Sequence, residues 1–233
     1  MKTIEMDIAD TIIDRPVGFT VGRRHFYLYP MTLGKFYLTQ RIIESLAIDK
    51  KGLVENPFAE ALRLASLKRE ECIMLIAYHS LQTKKELLSN RNVLIRRNLI
   101  DKELDTKDIA TLLVACLSSD KTEAIAKHFG IDKEVERMRR VVAVKDDTNT
   151  YQFGGVSMYG SIIDSACERY GWTYDYVVWE ISYTNLQLML KDSVKSVYLT
   201  DEEVKRCGIP KQSAVNGNDL ETTMQYISSQ RWD

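Results

Sequence analysis

A mainly α-helical protein carrying one N-terminal β-hairpin is the fold that this 233-residue sequence predicts. Three observations predict it. Alternating β-formers are confined to residues 18–29, a helical apolar period runs from about 31 to 144, and only 4 Pro and 11 Gly interrupt the chain. With 45% hydrophobic and 28% charged residues, collagen-like, disordered and disulfide-scaffold classes are excluded, and the length suffices for a core without staples.

The elements follow in order. Gly18-Phe19-Thr20-Val21-Gly22-Arg23-Arg24-His25-Phe26-Tyr27-Leu28-Tyr29 reads as a hairpin: Gly22 supplies the positive φ of a tight turn, and Phe19, Val21, Phe26 and Leu28 share one face. A lone hairpin is marginal in water, so that face must pack on helices. Thr32 caps a helix through Tyr37, Ile42 and Leu46, with Gly52 as its expected end. Pro57 suits a first turn, and a helical stretch follows through Leu62, Cys72, Ile76 and Leu81. Ile109, Leu112, Leu113, Cys116 and Leu117 match the amphipathic template, capped by Asp105 or Thr106. These signals divide the chain into a hairpin region at 1–30, a helical body at 31–144, an aromatic-rich helical module at 150–208 and a tail with a weak helix at 209–233. Lys145-Asp146-Asp147-Thr148-Asn149-Thr150 reads as the linker.

The module stands out by composition. Ten of the 21 Phe, Trp and Tyr residues fall between 150 and 199. Gly171 ends one helix, Thr173 caps the next with Tyr176 and Trp179 on one face, and Ser182 starts a third whose stripe is Leu186, Leu190, Val194 and Val197. Thr200-Asp201-Glu202-Glu203 is a capping box before a helix that Gly208 and Pro210 end. Aromatic and methionine side chains at this density suit a groove for a partner, or the core of a small helical module.

Charge and cysteine usage exclude more than they assign. A net charge of −1, from 32 Lys+Arg against 33 Asp+Glu, provides no global field for nucleic acid or anionic lipid. Cys72, Cys116, Cys167 and Cys207 form no CxxC or CxxH pair and read as reduced, mostly buried thiols of a cytoplasmic protein. The acid-broken start shows no export signal, and the longest apolar runs fall far short of the ~20 residues that cross a bilayer. Residues 122–140 have the outline of a helix-turn-helix around Gly130, yet Asp132, Glu134 and Glu136 would face phosphate, with Arg137, Arg139 and Arg140 further along. Phe153-Gly154-Gly155-Val156-Ser157-Met158-Tyr159-Gly160 lacks the spacing of known phosphate loops. His25, His79 and His128 share no local motif, and Ser161, Ser165 and Cys167 have no adjacent base. No catalytic residue, metal ligand or cofactor is therefore assigned.

The stretch from about Asn149 to Glu203 carries FGGVSMYG, a W-T-x-D-x-V-x-W-x-I-S core from Trp172 to Ser182, and the Tyr198–Glu203 end. It resembles the C-terminal portion of phage tail assembly chaperones of Bacteroidetes phages and prophages. The hairpin followed by Pro30-Met31-Thr32-Leu33-Gly34-Lys35 is similar to their N-terminal region. The small members of that family are shorter than this chain, and its central helices have no counterpart in them. The resemblance implies a non-enzymatic chaperone of the host cytoplasm that binds amphipathic helices of the tape-measure protein and delivers them to tail-tube subunits. Self-association is left open by the sequence. The residues expected to contact the partner are Trp172, Tyr174, Tyr176, Trp179 and Tyr183, with Met189 as an adaptable filler. Two other functions remain open: a structural component of the tail or baseplate, and a DNA-binding regulator acting through 122–140.

Overall fold

The computed structural model describes residues 4–118, 120–145 and 156–208, with Met224 besides. Fourteen helices and one two-stranded antiparallel sheet make up the described residues. The expected weak helix at 219–229, apart from Met224, and the Phe153–Gly155 stretch lie outside them, as does the linker beyond Lys145. None of the described helices is long and apolar enough to cross a membrane.

A helix not foreseen in the sequence comes first. α1 (Ile4–Ile12) has Ile4, Ile8 and Ile12 one helical turn apart, and it buries Ile8. The hairpin follows as β1 (Val17–Val21) and β2 (Arg24–Leu28), with Phe19 opposite Phe26 and Gly22 at φ 60°. As the alternation requires, Phe19, Val21, Phe26 and Leu28 face the same helical core.

Thr32 caps α2 (Leu33–Leu46), accepting a hydrogen bond from the Lys35 backbone N–H at 3.3 Å. The expected end at Gly52 is wrong. The chain leaves the helix at Ala47, in left-handed geometry at φ 49°, and Asp49 then caps a new helix, α3 (Lys50–Glu55), which contains Gly52. The helical stretch expected after Pro57 is built from two helices. α4 (Pro57–Leu67) and α5 (Arg69–His79) are separated by Lys68, whose backbone departs from helical angles. α5 has almost no polar face, and it packs against β2, α2, α4, α7 and α8 as the centre of the first core.

α6 (Lys84–Leu87), α7 (Asn90–Glu103) and α8 (Thr106–Leu117) complete that body. The Asp105 carboxylate accepts from the backbone N–H of both Lys107 and Asp108 at 2.8 Å, and the Asp108 side chain returns to the Asp105 N–H. Two orphan donors of α8 are met this way, so Asp105→Ala is expected to cost about 1 kcal/mol in urea unfolding.

Next come α9 (Thr122–His128), α10 (Ile131–Val144), α11 (Met158–Tyr170), α12 (Tyr174–Trp179), α13 (Tyr183–Lys191) and α14 (Asp201–Cys207). Gly171 and Gly208 end α11 and α14 in left-handed geometry, and Thr173, Ser182 and Thr200 cap as the sequence indicates. The stripe expected to run through Val194 and Val197 stops short. α13 ends at Lys191, and Val194 stands exposed.

Contacts divide the chain into two units, Met1–Lys133 with Gln152–Val194, and Glu134–Tyr151 with Lys195–Asp233. The first contains α11–α13 together with the helical body as far as Lys133. In the second, the Thr200–Glu203 capping box starts α14, and Glu134–Arg137 and Glu136–Arg139 pairs lie along α10.

Candidate partner-binding groove

The first turn of α2 is the strip on which the aromatic helices dock. Leu33 is buried in a second core with Ile163 and Ala166 of α11, Val177 and Val178 of α12, and Leu186 of α13. The backbone on either side is tied down too: the Tyr183 N–H donates to the Met31 carbonyl at 2.7 Å, and Thr32 bridges Ser182. Gly34 presents its bare Cα to the Trp179 indole. A Cβ built there would stand 2.5 Å from two ring carbons. Phe36 stacks on Tyr183 with ring centroids 5.6 Å apart, and Tyr37 meets the edge of Tyr159 at 5.4 Å. The Pro30–Lys35 segment and the Trp172–Ser182 segment are therefore halves of one packing unit.

This docking decides where the six expected contact residues lie. Tyr176 and Trp179 both pack against the second core, as a shared face requires, but their rings then part: Trp179 sits against Gly34 and also touches the third core around Leu81, Leu87 and Val93, while Tyr176 turns toward Trp172, ring centroids 5.1 Å apart. Tyr183 is held half-buried by Phe36. Tyr174 is exposed, its hydroxyl 2.5 Å from that of Tyr159. Trp172, Tyr176 and Met189 come together, lining a groove of about 420 Å³.

The rest of the groove comes from residues that sequence reasoning missed. α1 supplies Ile8 and Ile12, α9 supplies Ile125, and Phe129 and Ile131 follow from the turn beyond it. The Asn185 amide fixes α1 against α13 by donating to the Thr11 carbonyl and to the Asp14 carboxylate, each at 2.9 Å. Lys121 secures the other side through an ion pair with Asp7. The Tyr170 hydroxyl donates to the Met189 carbonyl at 2.9 Å, and its ring lies 4.6 Å from Trp172, so the aromatic wall is braced from behind. Three apolar side chains remain in water at the groove: Ile12 is 63% exposed, Phe129 58% and Met189 38%. Large side chains left exposed around a concave apolar surface are the usual mark of a site for another apolar surface.

The same geometry bears on the helix-turn-helix outline. Residues 122–140 do form α9, a turn at Gly130 with φ 72°, and α10. Its apolar residues Ile125, Phe129 and Ile131 line the groove, while Arg137 and Arg139 are paired with Glu134 and Glu136. The three histidines lie on separate elements, with His25 and His128 exposed and His79 buried. Three of the four cysteines are buried, and Cys167 is half-buried. Compared with family models, curated proteins and solved structures, the chain matches none of them.

Proposed function

We propose that this protein is a non-enzymatic phage tail assembly chaperone, and that its groove holds the apolar face of amphipathic helices of the tape-measure protein. The observation that carries the reading is the open apolar groove, lined by Trp172, Tyr176 and Met189 together with the exposed Ile12 and Phe129. A volume of about 420 Å³ takes a few side chains rather than a whole helix, which fits anchoring by residues at i, i+3, i+4 and i+7. Rigid aromatic walls give contact area at low entropic cost, and Met189 adapts to side chains of different shape. The resemblance of residues 149–203 and of the hairpin region to tail assembly chaperones supplies the partner.

The test is coexpression with the tape-measure protein. With the unaltered chain the partner is expected in the supernatant and to copurify; Ile12→Asp with Phe129→Asp is expected to send it to the pellet. Both positions are more than half exposed, so the fold should survive, and two buried anchors lost correspond to at least tenfold weaker binding. If the tape-measure protein stays insoluble beside the unaltered chain, the reading fails. Mass spectrometry of purified virions separates a chaperone, which should be absent, from a retained tail component, which should be stoichiometric.

A further inference from the structure

We propose that the cavity lined by Lys35 is a binding site for a carboxylate, with the Lys35 ammonium as its counter-ion and the Tyr29 and Trp179 rings as walls for an apolar body. The cavity measures about 640 Å³ and lies where the residues after β2, the first turn of α2, α6 and the end of α12 meet. It shares only Asp14 with the groove and is independent of the tail-assembly reading.

Lys35 is 1% exposed, in the first turn of α2, with its nitrogen 5.4 Å from the centre of the Tyr29 ring. Among the described residues, none of the ion pairs or hydrogen bonds engages that ammonium. Every sealed side-chain nitrogen or oxygen there does have a partner, so an unpartnered ammonium must touch open space, and the space Lys35 lines is this cavity. A cation taken out of water without a counter-ion is costly, and a carboxylate entering the cavity would remove that cost.

The neighbouring acids are held by other groups or stand in solvent. Asp175 pairs with Lys84 at 2.8 Å, Asp14 accepts from Asn185, and Glu86 closes the Thr83 capping box. Glu180 is exposed, and Lys85 adds a second positive charge to the lining. Behind Lys35, His79 of α5 and Cys116 of α8 are neutral, because burial pushes the imidazole down to about 3 and the thiol well above its usual range. Burial likewise lowers Lys35 to about 8, with Cys116 and Glu86 opposing the shift. The ammonium is thus the charged form at pH 7 and is lost over the next two units.

Benzoate is the first probe, read by the Lys35 ε-carbon signal in protein labelled with ¹³C-lysine. Saturable binding is expected at pH 7, with the Lys35 titration moved to higher pH. Apparent affinity should fall about thirtyfold between pH 7 and pH 9.5, because binding takes the protonated amine. Lys35→Met should abolish binding while the circular dichroism spectrum is kept; the pH dependence in the unaltered protein stands without the variant. A peptide whose one carboxylate is a Glu side chain forms the second arm, and the tighter ligand tells a free acid from an acidic partner residue. The proposal is overturned if neither ligand shifts Lys35, if affinity is flat from pH 7 to 9.5, or if Lys35→Met binds equally well.

Discussion

Gly34→Ala is expected to lower the melting temperature by about 6–12 °C. In an exposed helix the same change would stabilise by up to about 1 kcal/mol, since glycine carries the larger backbone entropy. Here the added methyl would meet two Trp179 ring carbons at 2.5 Å, and that ring is wedged between α2 and the third core. A bulky aromatic held on both sides cannot step aside cheaply, so overpacking wins, at a net cost on the order of 3 kcal/mol. Trp179→Leu removes the obstacle. In that background Gly34→Ala should be neutral or stabilising, and the interaction energy of the cycle measures the close approach. A rise in melting temperature for the single substitution would show that α12 is not seated on α2 as described.

Acid is expected to weaken the fold from pH 6.5 downward, with His79 as the cause. His79 is 3% exposed, and burial, with Lys35 adding to it, holds its folded value near 3 against an ordinary 6.5; a backbone hydrogen bond with Tyr29 offsets part of the shift. Between those limits the unfolded chain binds a proton that the folded chain refuses. The stability due to neutral His79 is therefore complete above pH 6.5 and is lost as pH falls toward 3, at about 1.4 kcal/mol per unit. Urea unfolding at pH 6.5 and pH 5 should differ by about 2 kcal/mol. His79→Gln, which cannot take up the proton, should flatten that slope. Glu60 and Glu86, also lowered, act below their ordinary 4.5 and leave this window clear. An unchanged slope in the variant would assign the acid loss to other groups.

Local signals carried most of the fold. The helical class, the hairpin with its Gly22 turn, and the caps at Thr32, Asp105, Thr173, Ser182 and Thr200 depend on residues within a few positions of each other, and the structure places each as expected. Where local reading failed, the competing signal was local as well. Gly52 looked like a helix end, but Asp49 had already started the next helix; Val194 continued a stripe in spacing after the helix itself had stopped. α1 intersperses Glu5, Asp7 and Asp10 with Ile4, Ile8 and Ile12 and buries only Ile8, so its apolar signal is short and diluted by charge.

Composition pointed to the aromatic residues as a group, and a periodic pattern says that side chains share a face without saying what covers that face. The sharing among Gly34, Trp179, Phe36 and Tyr183 is fixed by contacts across well over a hundred residues, so no window of sequence contains it. Three of the six expected contacts, Trp172, Tyr176 and Met189, meet in the groove, and their partners from α1 and α9 enter through the same long-range packing. Capping and periodicity are short-range, so the hairpin, the helical class and the starts of α2, α4, α8, α12, α13 and α14 are legible in the sequence, whereas α1 and the breaks at Ala47 and Lys68 are not. Which aromatics are core and which are surface, and that Lys35 is a buried cation beside a cavity, emerge only with the fold, because burial depends on what the rest of the chain brings alongside.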